Sequence, residues 1–220
     1  MTRLAIFDCD GTLVDGQAEV CLAMEDAFAT AGLPRPDRHA VRRIVGLSLP
    51  QAVARLAPDA DKATQAAAVA AYKAAYRSRR ETGALLEPLY DGVAELLEAL
   101  LDAGWLLGIA TGKSERGLHA CLASHRLLHH FITLQTADHH PSKPHPAMIQ
   151  AALAEADIAA GSAVMIGDTA FDIEMAGRAG VGAIGVAWGY HEPDELRAAG
   201  AAGVAGDVAE LGRLLGVGRG

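Results

Sequence analysis

Two pairs of aspartates stand out because of where they lie along this 220-residue chain. Asp8 and Asp10 directly follow a short apolar run, and Asp168 and Asp172 follow another. Four residues apart at the start of a helix, the second pair faces one side of that helix. Like charges gathered in one crevice repel each other unless a cation lies between them. All four are hard oxygen donors, and neither Cys nor His stands nearby in ligand spacing, so the pattern favours Mg²⁺ over Zn²⁺.

Groups that bind an anion accompany these carboxylates. Thr111 and Gly112 lie at a predicted strand-to-helix turn, where hydroxyl and backbone N–H groups favour an oxyanion. Lys143, in a later connection, adds a full positive charge. A free carboxylate surrounded by a metal ion, hydrogen-bond donors and a cation is the arrangement that phosphoryl transfer to an aspartate requires.

The elements that must bring these residues together are short apolar runs that alternate with helical segments. Such alternation predicts an α/β fold, a doubly wound parallel sheet whose ligands bind at the carboxyl ends of the strands. Both aspartate pairs and Thr111 follow strand ends, so we expect one crevice at that edge of the sheet. The predicted strands span residues 3–8, 105–110, 131–134, 163–166 and 182–186.

A block of helices interrupts this alternation after the first strand. Residues 16–84 have the composition and apolar spacing of helices throughout. We predict an α-helical cap domain at residues 16–85, inserted into a core domain that consists of residues 1–15 and 86–220. The hinge would lie where the chain crosses between the two. Prolines divide the block into about four helices, and they are Pro34, Pro36, Pro50 and Pro58.

Four short motifs resemble those of the haloacid dehalogenase (HAD) superfamily. Residues 8–15 (DCDGTLVD) match its first motif, DxDGT, and residues 167–172 (GDTAFD) match its fourth, GDxxxD. Residues 109–113 (IATGK) resemble the second motif and residues 142–144 (SKP) the third. The motifs stand in the family's order and spacing over nearly the whole chain, which makes the signal specific. The helical block resembles the α-helical cap of the phosphoglycolate phosphatase and β-phosphoglucomutase branch.

This resemblance implies a Mg²⁺-dependent phosphatase that hydrolyses a small phosphate monoester. Asp8 would be the nucleophile that forms an aspartyl-phosphate, and Asp10 would be the general acid/base. Thr111 and Lys143 would hold the phosphoryl group during catalysis. The implied metal ligands are Asp8, Asp10 through its backbone carbonyl, Asp168, and Asp172 either directly or through water. The implied substrate-binding and phosphate-binding residues are Gly11, Thr12, Thr111, Gly112 and Lys143.

Recognition of the rest of the substrate is expected from the cap. Arg43 precedes the turn Gly46-Leu47-Ser48-Leu49, which resembles the substrate-specificity loop of this branch. An arginine there would bind a second anionic group of the substrate, with a solvated helix face as the alternative. One departure from the family concerns the hinge, because residue 16 is Gly where many relatives carry Ser or Thr. The paired histidines at 129–130 and 139–140 are expected to be polar loop residues.

Other reactions on the same scaffold need residues that this chain lacks. Asp10 with Gly11 and Thr12 argues against a dehalogenase, which needs no second aspartate. Residues 16–31 contain no lysine for a phosphonate hydrolase and no histidine of the kind that β-phosphoglucomutase-type sugar phosphomutases use there. A non-catalytic binding module on the HAD fold should have lost a motif residue, and none is missing. The phosphomutase and the binding module stay as alternatives, and phosphoglycolate, a sugar phosphate and a nucleotide monophosphate stay open as substrates.

The composition restricts the partner and the compartment. A net charge of −8 and a pI near 5.5 give little electrostatic support for binding a nucleic-acid backbone. No apolar run is long enough to span a bilayer, and Met1 leads almost directly into the first strand, so we expect a cytoplasmic protein without a membrane partner. The three scattered cysteines fit a reducing compartment. The expected partner is a small phosphorylated molecule, and the oligomeric state stays open.

Overall fold

Parallel strands form one central sheet in the computed structural model, which describes residues 2–217. The strands are β1 (Arg3–Phe7), β2 (Trp105–Thr111), β3 (Thr133–Thr136), β4 (Ala163–Gly167), β5 (Gly182–Val186) and β6 (Gly203–Ala205). Within the described residues their order is β3-β2-β1-β4-β5-β6, and every neighbouring pair is parallel. The strand order reverses between β1 and β4, which is where an open α/β sheet forms its ligand crevice. The predicted fold class is confirmed.

Helices cover both faces of this sheet. They are α5 (Val93–Asp102), α6 (Glu115–Ser124), α7 (Ala147–Ala156), α8 (Ala170–Arg178), α9 (Pro193–Ala198) and α10 (Val208–Leu215). Alternate residues of β1 point to opposite faces, so that Ala5 and Phe7 join one apolar cluster and Leu4 and Ile6 the other. Helices α5, α6 and α10 cover the first cluster, and α7, α8 and α9 cover the second. No helix within residues 2–217 combines the length and the apolar character that crossing a membrane requires.

The last part of the chain extends the sheet beyond the five predicted strands. Strand β6 pairs with β5, and helices α9 and α10 flank it in the sequence. A three-residue Gly-Val-Ala strand is too short to show the apolar pattern that marks a strand, so the sequence does not reveal it. Strand β3 also begins at Thr133 rather than at the predicted residue 131, because a 3₁₀ turn at Leu128–His130 delays its start.

Four helices lie between β1 and α5, as the prolines predict. They are α1 (Gln17–Thr30), α2 (Arg38–Arg43), α3 (Leu49–Leu56) and α4 (Lys62–Glu81). We call these four helices and their connections the helical insertion. A third apolar cluster lies mainly within the insertion, where Val20, Met24 and Phe28 of α1 pack with Ala68 of α4, and Tyr190 of the core joins it. The helical spacing seen in the sequence therefore serves to bury one face of α1.

The two connections between the helical insertion and the sheet lie side by side. The backbone N–H of Asp15 donates to the carbonyl oxygen of Pro88 (2.8 Å). Val14 and Leu89 form an antiparallel bridge next to this hydrogen bond. The chain therefore leaves the sheet and returns to it at one place, beside the end of β1.

Candidate active site

Three buried aspartates meet at the carboxyl ends of the two central strands. Asp8 follows β1, and Asp168 and Asp172 follow β4, the strand that pairs with β1. Each aspartate offers one carboxylate oxygen, and these three atoms all lie within 4.8 Å of one another. At most 1% of any of the three residues is exposed. The structure thus brings together three carboxylates that the sequence places at one edge of the sheet.

Lys143 compensates part of this negative charge. It is fully buried, and its Nζ lies 2.9 Å from Oδ1 of Asp8 and 2.6 Å from Oδ1 of Asp172. Burial raises the pKa of Asp8 to about 6, because it outweighs the opposing charge of Lys143. Burial alone would lower the pKa of Lys143, but the two carboxylates outweigh it and raise that pKa above its ordinary value. Lys143 therefore stays charged beside both aspartates.

Asp168 is held at both oxygens of its carboxylate. The hydroxyl of Thr12 donates to Oδ1 (2.8 Å), and the backbone N–H of Tyr190 donates to Oδ2 (2.9 Å). Gly11 (φ +88°) and Gly189 lie so close that a Cβ at either position would collide with this carboxylate. Burial, reinforced by the neighbouring carboxylates, raises the pKa of Asp168 well above its ordinary value. Such a carboxylate gains strongly from a nearby cation.

Gly11 and Thr12 have partners other than the phosphate that the family resemblance implies. The backbone N–H of Gly11 donates to the carbonyl oxygen of Val14 (2.9 Å), and that of Thr12 donates to the carbonyl oxygen of Cys9 (3.4 Å). The Thr12 hydroxyl is engaged with Asp168. A tight turn after β1 uses these donors, so in this structure Gly11 and Thr12 fix the turn and Asp168, and their contact with a phosphate stays a prediction.

The carboxylate cluster fits a divalent cation. The cluster contains three buried carboxylates and one ammonium group, which contacts Asp8 and Asp172, so a bound cation would offset the remaining negative charge. All its donors are hard oxygens, which match Mg²⁺. Asp172 has both oxygens engaged, because Lys143 contacts Oδ1 and the Thr169 hydroxyl donates to Oδ2 (2.7 Å). Both oxygens of Asp168 are engaged as well, and each of the three aspartates still offers one carboxylate oxygen to such an ion.

A cavity of about 520 Å³ lies between this edge of the sheet and the helical insertion. On the sheet side it is lined by Asp8, Asp10, Thr111 and Gly112, among others. The volume is in the range that small-molecule sites usually have. Side chains of the helical insertion cover the cavity, and they include Val20, Met24, Leu47, Tyr72 and Tyr76.

The turn at residues 46–48 closes one side of this cavity. The backbone N–H of Ser48 donates to Oγ of Ser142 in the third motif (2.7 Å). A Cβ added to Gly112 would lie 2.6 Å from the carbonyl oxygen of Leu47, so a larger residue at 112 would push the turn away. The loop that resembles a substrate-specificity loop therefore lies directly against the edge of the sheet.

Arg43 does not take the position predicted for it. Its guanidinium forms a bidentate ion pair with Glu195 of α9, and Arg43 is not among the described residues that line the cavity. The ring of His191 also contacts the carbonyl oxygen of Arg43 (3.3 Å). Helix α2 ends with this side chain directed toward α9 rather than toward the aspartates. In this structure Arg43 therefore links the helical insertion to the core, and its contact with an anionic group of the substrate stays a prediction.

The histidine pairs have protein partners of their own. The ring of His140 contacts Oε1 of Gln135 (2.7 Å). His130 is buried, in contrast to its prediction as a polar loop residue, and its Nε2 contacts Oε1 of Glu98 (2.7 Å). Neither of these two residues lines the cavity.

Two further residues reach Asp10 through contacts that the sequence patterns do not predict. Nζ of Lys113 lies 2.7 Å from Oδ1 of Asp10 and 2.7 Å from Oε1 of Glu87. Lys113 belongs to the second motif, but its place in the sequence does not reveal which carboxylates it meets. Glu87 lies in the return connection from the helical insertion, and its neighbours in the sequence give it no special character. Only the tertiary structure brings these residues to Asp10.

The chain is similar to known phosphatases in sequence and in structure. The sequence profile of the haloacid dehalogenase-like hydrolases matches residues 5–186. Over 90% of its length the chain is 38% identical to the probable phosphatase IndB of Dickeya dadantii, of which it covers 87%. Over 98% of its length it is 33% identical to a phosphoglycolate phosphatase of Rhodospirillum rubrum, of which it covers 92%. The crystal structure of a predicted phosphatase from Clostridium acetobutylicum has a TM-score of 0.87 and 25% identity, with 97% of each chain covered.

The sheet order and the carboxylate crevice at its switch point define a doubly wound α/β enzyme with an inserted α-helical unit. Because the family profile spans most of the chain, and a 38% identical relative matches 90% of it, the chain belongs to the haloacid dehalogenase-like hydrolase family. Within that family it is similar to phosphoglycolate phosphatases along nearly its whole length.

Proposed function

We propose that the chain is a Mg²⁺-dependent phosphatase that hydrolyses a small phosphate monoester through an aspartyl-phosphate at Asp8. The reaction class, phosphoric monoester hydrolysis, follows from the family and from the phosphatases among its relatives. The observation that carries the mechanism is the buried Asp8 carboxylate, 2.9 Å from the Lys143 ammonium and beside two further carboxylates at a covered cavity. The proposed substrate is a phosphoglycolate-like ester or a sugar phosphate.

Asp8 and Asp10 divide the chemistry between them. An oxygen of Asp8 attacks phosphorus, the bond from phosphorus to the leaving oxygen breaks, and Asp10 gives that oxygen its proton. Asp10 then takes a proton from a water molecule whose oxygen attacks the aspartyl-phosphate, so that phosphate leaves and Asp8 is restored. The side chain of Asp10 is 15% exposed and lines the cavity, so it meets a leaving group and water more easily than buried Asp8 does.

Three donors are proposed to hold the phosphoryl oxygens. Thr111 is the last residue of β2 and Gly112 follows it, and both residues line the same cavity as Asp8. Lys143 contacts Asp8 directly, so its ammonium lies beside the point where phosphorus is attacked. Preorganised donors and a fixed cation at this place stabilise the charge of the transition state.

Mg²⁺ is the proposed cofactor. A Mg²⁺ ion at this site would offset negative charge on the phosphoryl oxygens and on the carboxylates around it. Asp172 would bind the ion either directly or through water, because its oxygens also contact Lys143 and Thr169. The proposed ligands are Asp8, the backbone carbonyl of Asp10, Asp168 and Asp172.

We further propose that residues 16–85 act as a cap domain on a core of residues 1–15 and 86–220. The adjacent connections at residues 14–15 and 88–89 support a hinge, because the cap meets the core chain at one place. Closure over the cavity would exclude bulk water while the ester bond breaks and would select the leaving group by shape.

Asp10→Asn is expected to lower kcat/KM for alkyl phosphates by about 10² to 10⁴-fold, which is what general acid/base catalysis usually contributes. The loss should be smallest for p-nitrophenyl phosphate, because its leaving group departs without a proton. Phosphate release is measured for the wild type and the variant, with Mg²⁺, on phosphoglycolate, sugar phosphates, nucleoside monophosphates and p-nitrophenyl phosphate.

Asp59→Asn makes the same chemical change at an exposed residue and is expected to leave every rate unchanged. A loss from Asp10→Asn that is equal for all leaving groups would contradict the acid/base role of Asp10. A wild type that releases phosphate from none of these esters would contradict the proposed function itself.

A further inference from the structure

Lys113 is buried between two carboxylates, one of which belongs to Asp10. Its Nζ lies 2.7 Å from Oδ1 of Asp10 and 2.7 Å from Oε1 of Glu87, and 7% of its side chain is exposed. The ring of Tyr76 lies beside it, with Nζ 5.6 Å from the ring centroid. Burial alone would lower the pKa of Lys113, but Asp10 and the other groups around the ammonium outweigh it and raise that pKa well above its ordinary value. The two carboxylates therefore hold the ammonium in one place.

Glu87 connects this ammonium to the helical insertion. Its side chain is 6% exposed and also accepts a hydrogen bond from Nη2 of Arg80 on α4 (3.3 Å). Burying charged groups costs solvation, so a chain of close, paired contacts is needed to offset that cost. We call Arg80, Glu87, Lys113 and Asp10 the ion-pair chain, because each member contacts the next from α4 to the aspartate.

The two oxygens of Asp10 have different surroundings. Within residues 2–217, Lys113 donates a hydrogen bond to Oδ1 of Asp10, and no other side chain or backbone N–H donates to this carboxylate. A Cβ at Gly16 would lie 3.4 Å from the same oxygen, but glycine has no side chain with which to orient it. Lys113 is therefore the residue that orients Asp10, and Oδ2 of Asp10 stays available for proton transfer.

We infer that Lys113 is a positioning residue, which holds one oxygen of Asp10 so that the other faces the leaving oxygen of the substrate. Lys113 acts through Asp10 and not on the substrate, and Glu87 fixes Lys113 in turn. The inference rests on the proposed function, because the proton that Asp10 donates goes to the leaving oxygen of a phosphate ester.

Lys113→Met removes the charge and keeps the length of the side chain. The variant is expected to lose about 10²-fold in kcat/KM on an alkyl phosphate, which is the loss that a misplacement of about 1 Å typically causes. On p-nitrophenyl phosphate it is expected to stay within about twofold of the wild type, because this leaving group departs without a proton and does not depend on Asp10 as an acid. Lys62→Met, at an exposed position of α4, is the matched control and should change neither rate.

A double-variant cycle separates positioning from substrate contact. In the Asp10→Asn background, Lys113→Met is expected to cause no further loss beyond about twofold, because the group that it positions is already gone. Glu87→Gln, which loosens Lys113 without touching Asp10, is expected to give a smaller loss with the same preference for the alkyl ester.

Equal losses on both esters would mean that Lys113 is merely structural, and a full loss in the Asp10→Asn background would mean that it contacts the substrate. Either result overturns the inference.

Crystal structures of the wild type and of the double variant Lys113→Met/Glu87→Gln test the inference without measuring activity. Both buried charges are removed together so that neither is left unpaired, and the variant is therefore expected to fold. The Asp10 carboxylate should lose its single orientation in that variant, and an unchanged orientation would overturn the inference. An inactive wild type would instead contradict the proposed function.

Discussion

No measurable phosphate release is the expected result for Asp8→Asn. Asparagine keeps the volume of Asp8, but its amide does not form the bond to phosphorus that the covalent route needs. The uncatalysed hydrolysis of a phosphate monoester is so slow that enzymes accelerate it by up to about 10²¹-fold, so a variant without the nucleophile has almost no rate left. The measurement compares phosphate release by the variant and the wild type over hours, at high enzyme concentration, with the best substrate of the panel.

Unfolding would not explain such a loss. Asp8→Asn removes one negative charge from three buried carboxylates, while Lys143 keeps its 2.6 Å contact with Asp172. The variant should therefore unfold at a temperature no lower than that of the wild type, which circular dichroism measures. Asp59→Asn again serves as the matched control. Turnover by Asp8→Asn near the wild-type rate would remove Asp8 as the nucleophile, and the proposed mechanism with it.

Removal of divalent cations is expected to abolish activity as well. Without a cation, Asp8, Asp168 and Asp172 place three carboxylate oxygens within 4.8 Å of one another, with the ammonium of Lys143 among them. That repulsion distorts the site and opposes a bound phosphate. Activity should be lost in excess chelator and return with Mg²⁺, but return poorly with Ca²⁺, which takes a looser and higher coordination. Phosphate release is measured after dialysis against the chelator and then against each cation.

Thermal unfolding gives a second readout for the metal that does not depend on turnover. An ion that binds only the folded state raises the Tm. Mg²⁺ is therefore expected to raise the Tm of the wild type and to leave that of Asp168→Asn unchanged. Full activity in excess chelator, with bound metal excluded by elemental analysis, would refute the Mg²⁺ assignment.

The position of the site follows from the sequence because it depends on the ends of strands. Local apolar runs predict β1, β2 and β4, and polar residues directly after such strands must meet at the carboxyl edge of a parallel sheet. Asp8, Asp168 and Thr111 can be placed in this way although they lie far apart along the chain. The motifs show which residues to expect and in which order along the chain. The strand ends give the physical reason why these residues lie close together.

Contacts between the helical insertion and the sheet do not follow from the sequence. The Arg43–Glu195 pair, for example, joins residues 152 positions apart. Which of these charges meet depends on the angle at which the helical insertion lies on the sheet, and apolar periodicity carries no information about that angle. An arginine at the end of α2 has the same sequence signature whether it faces the cavity or α9.

The neighbouring connections at residues 14–15 and 88–89 also bear on the order in which the chain folds. Strand β1 comes first in the chain, yet its partners β2 and β4 pair with it through residues 105 and 163 onward. Closing a loop of about 100 residues rather than about 30 costs about 1 kcal/mol more chain entropy. A helical insertion that folds early brings its two ends together and removes most of that extra cost. In pulsed hydrogen exchange during refolding, amides of α1 and α4 should gain protection before those of β1. The central strand β1 is then the first strand in the chain but among the last to pair stably.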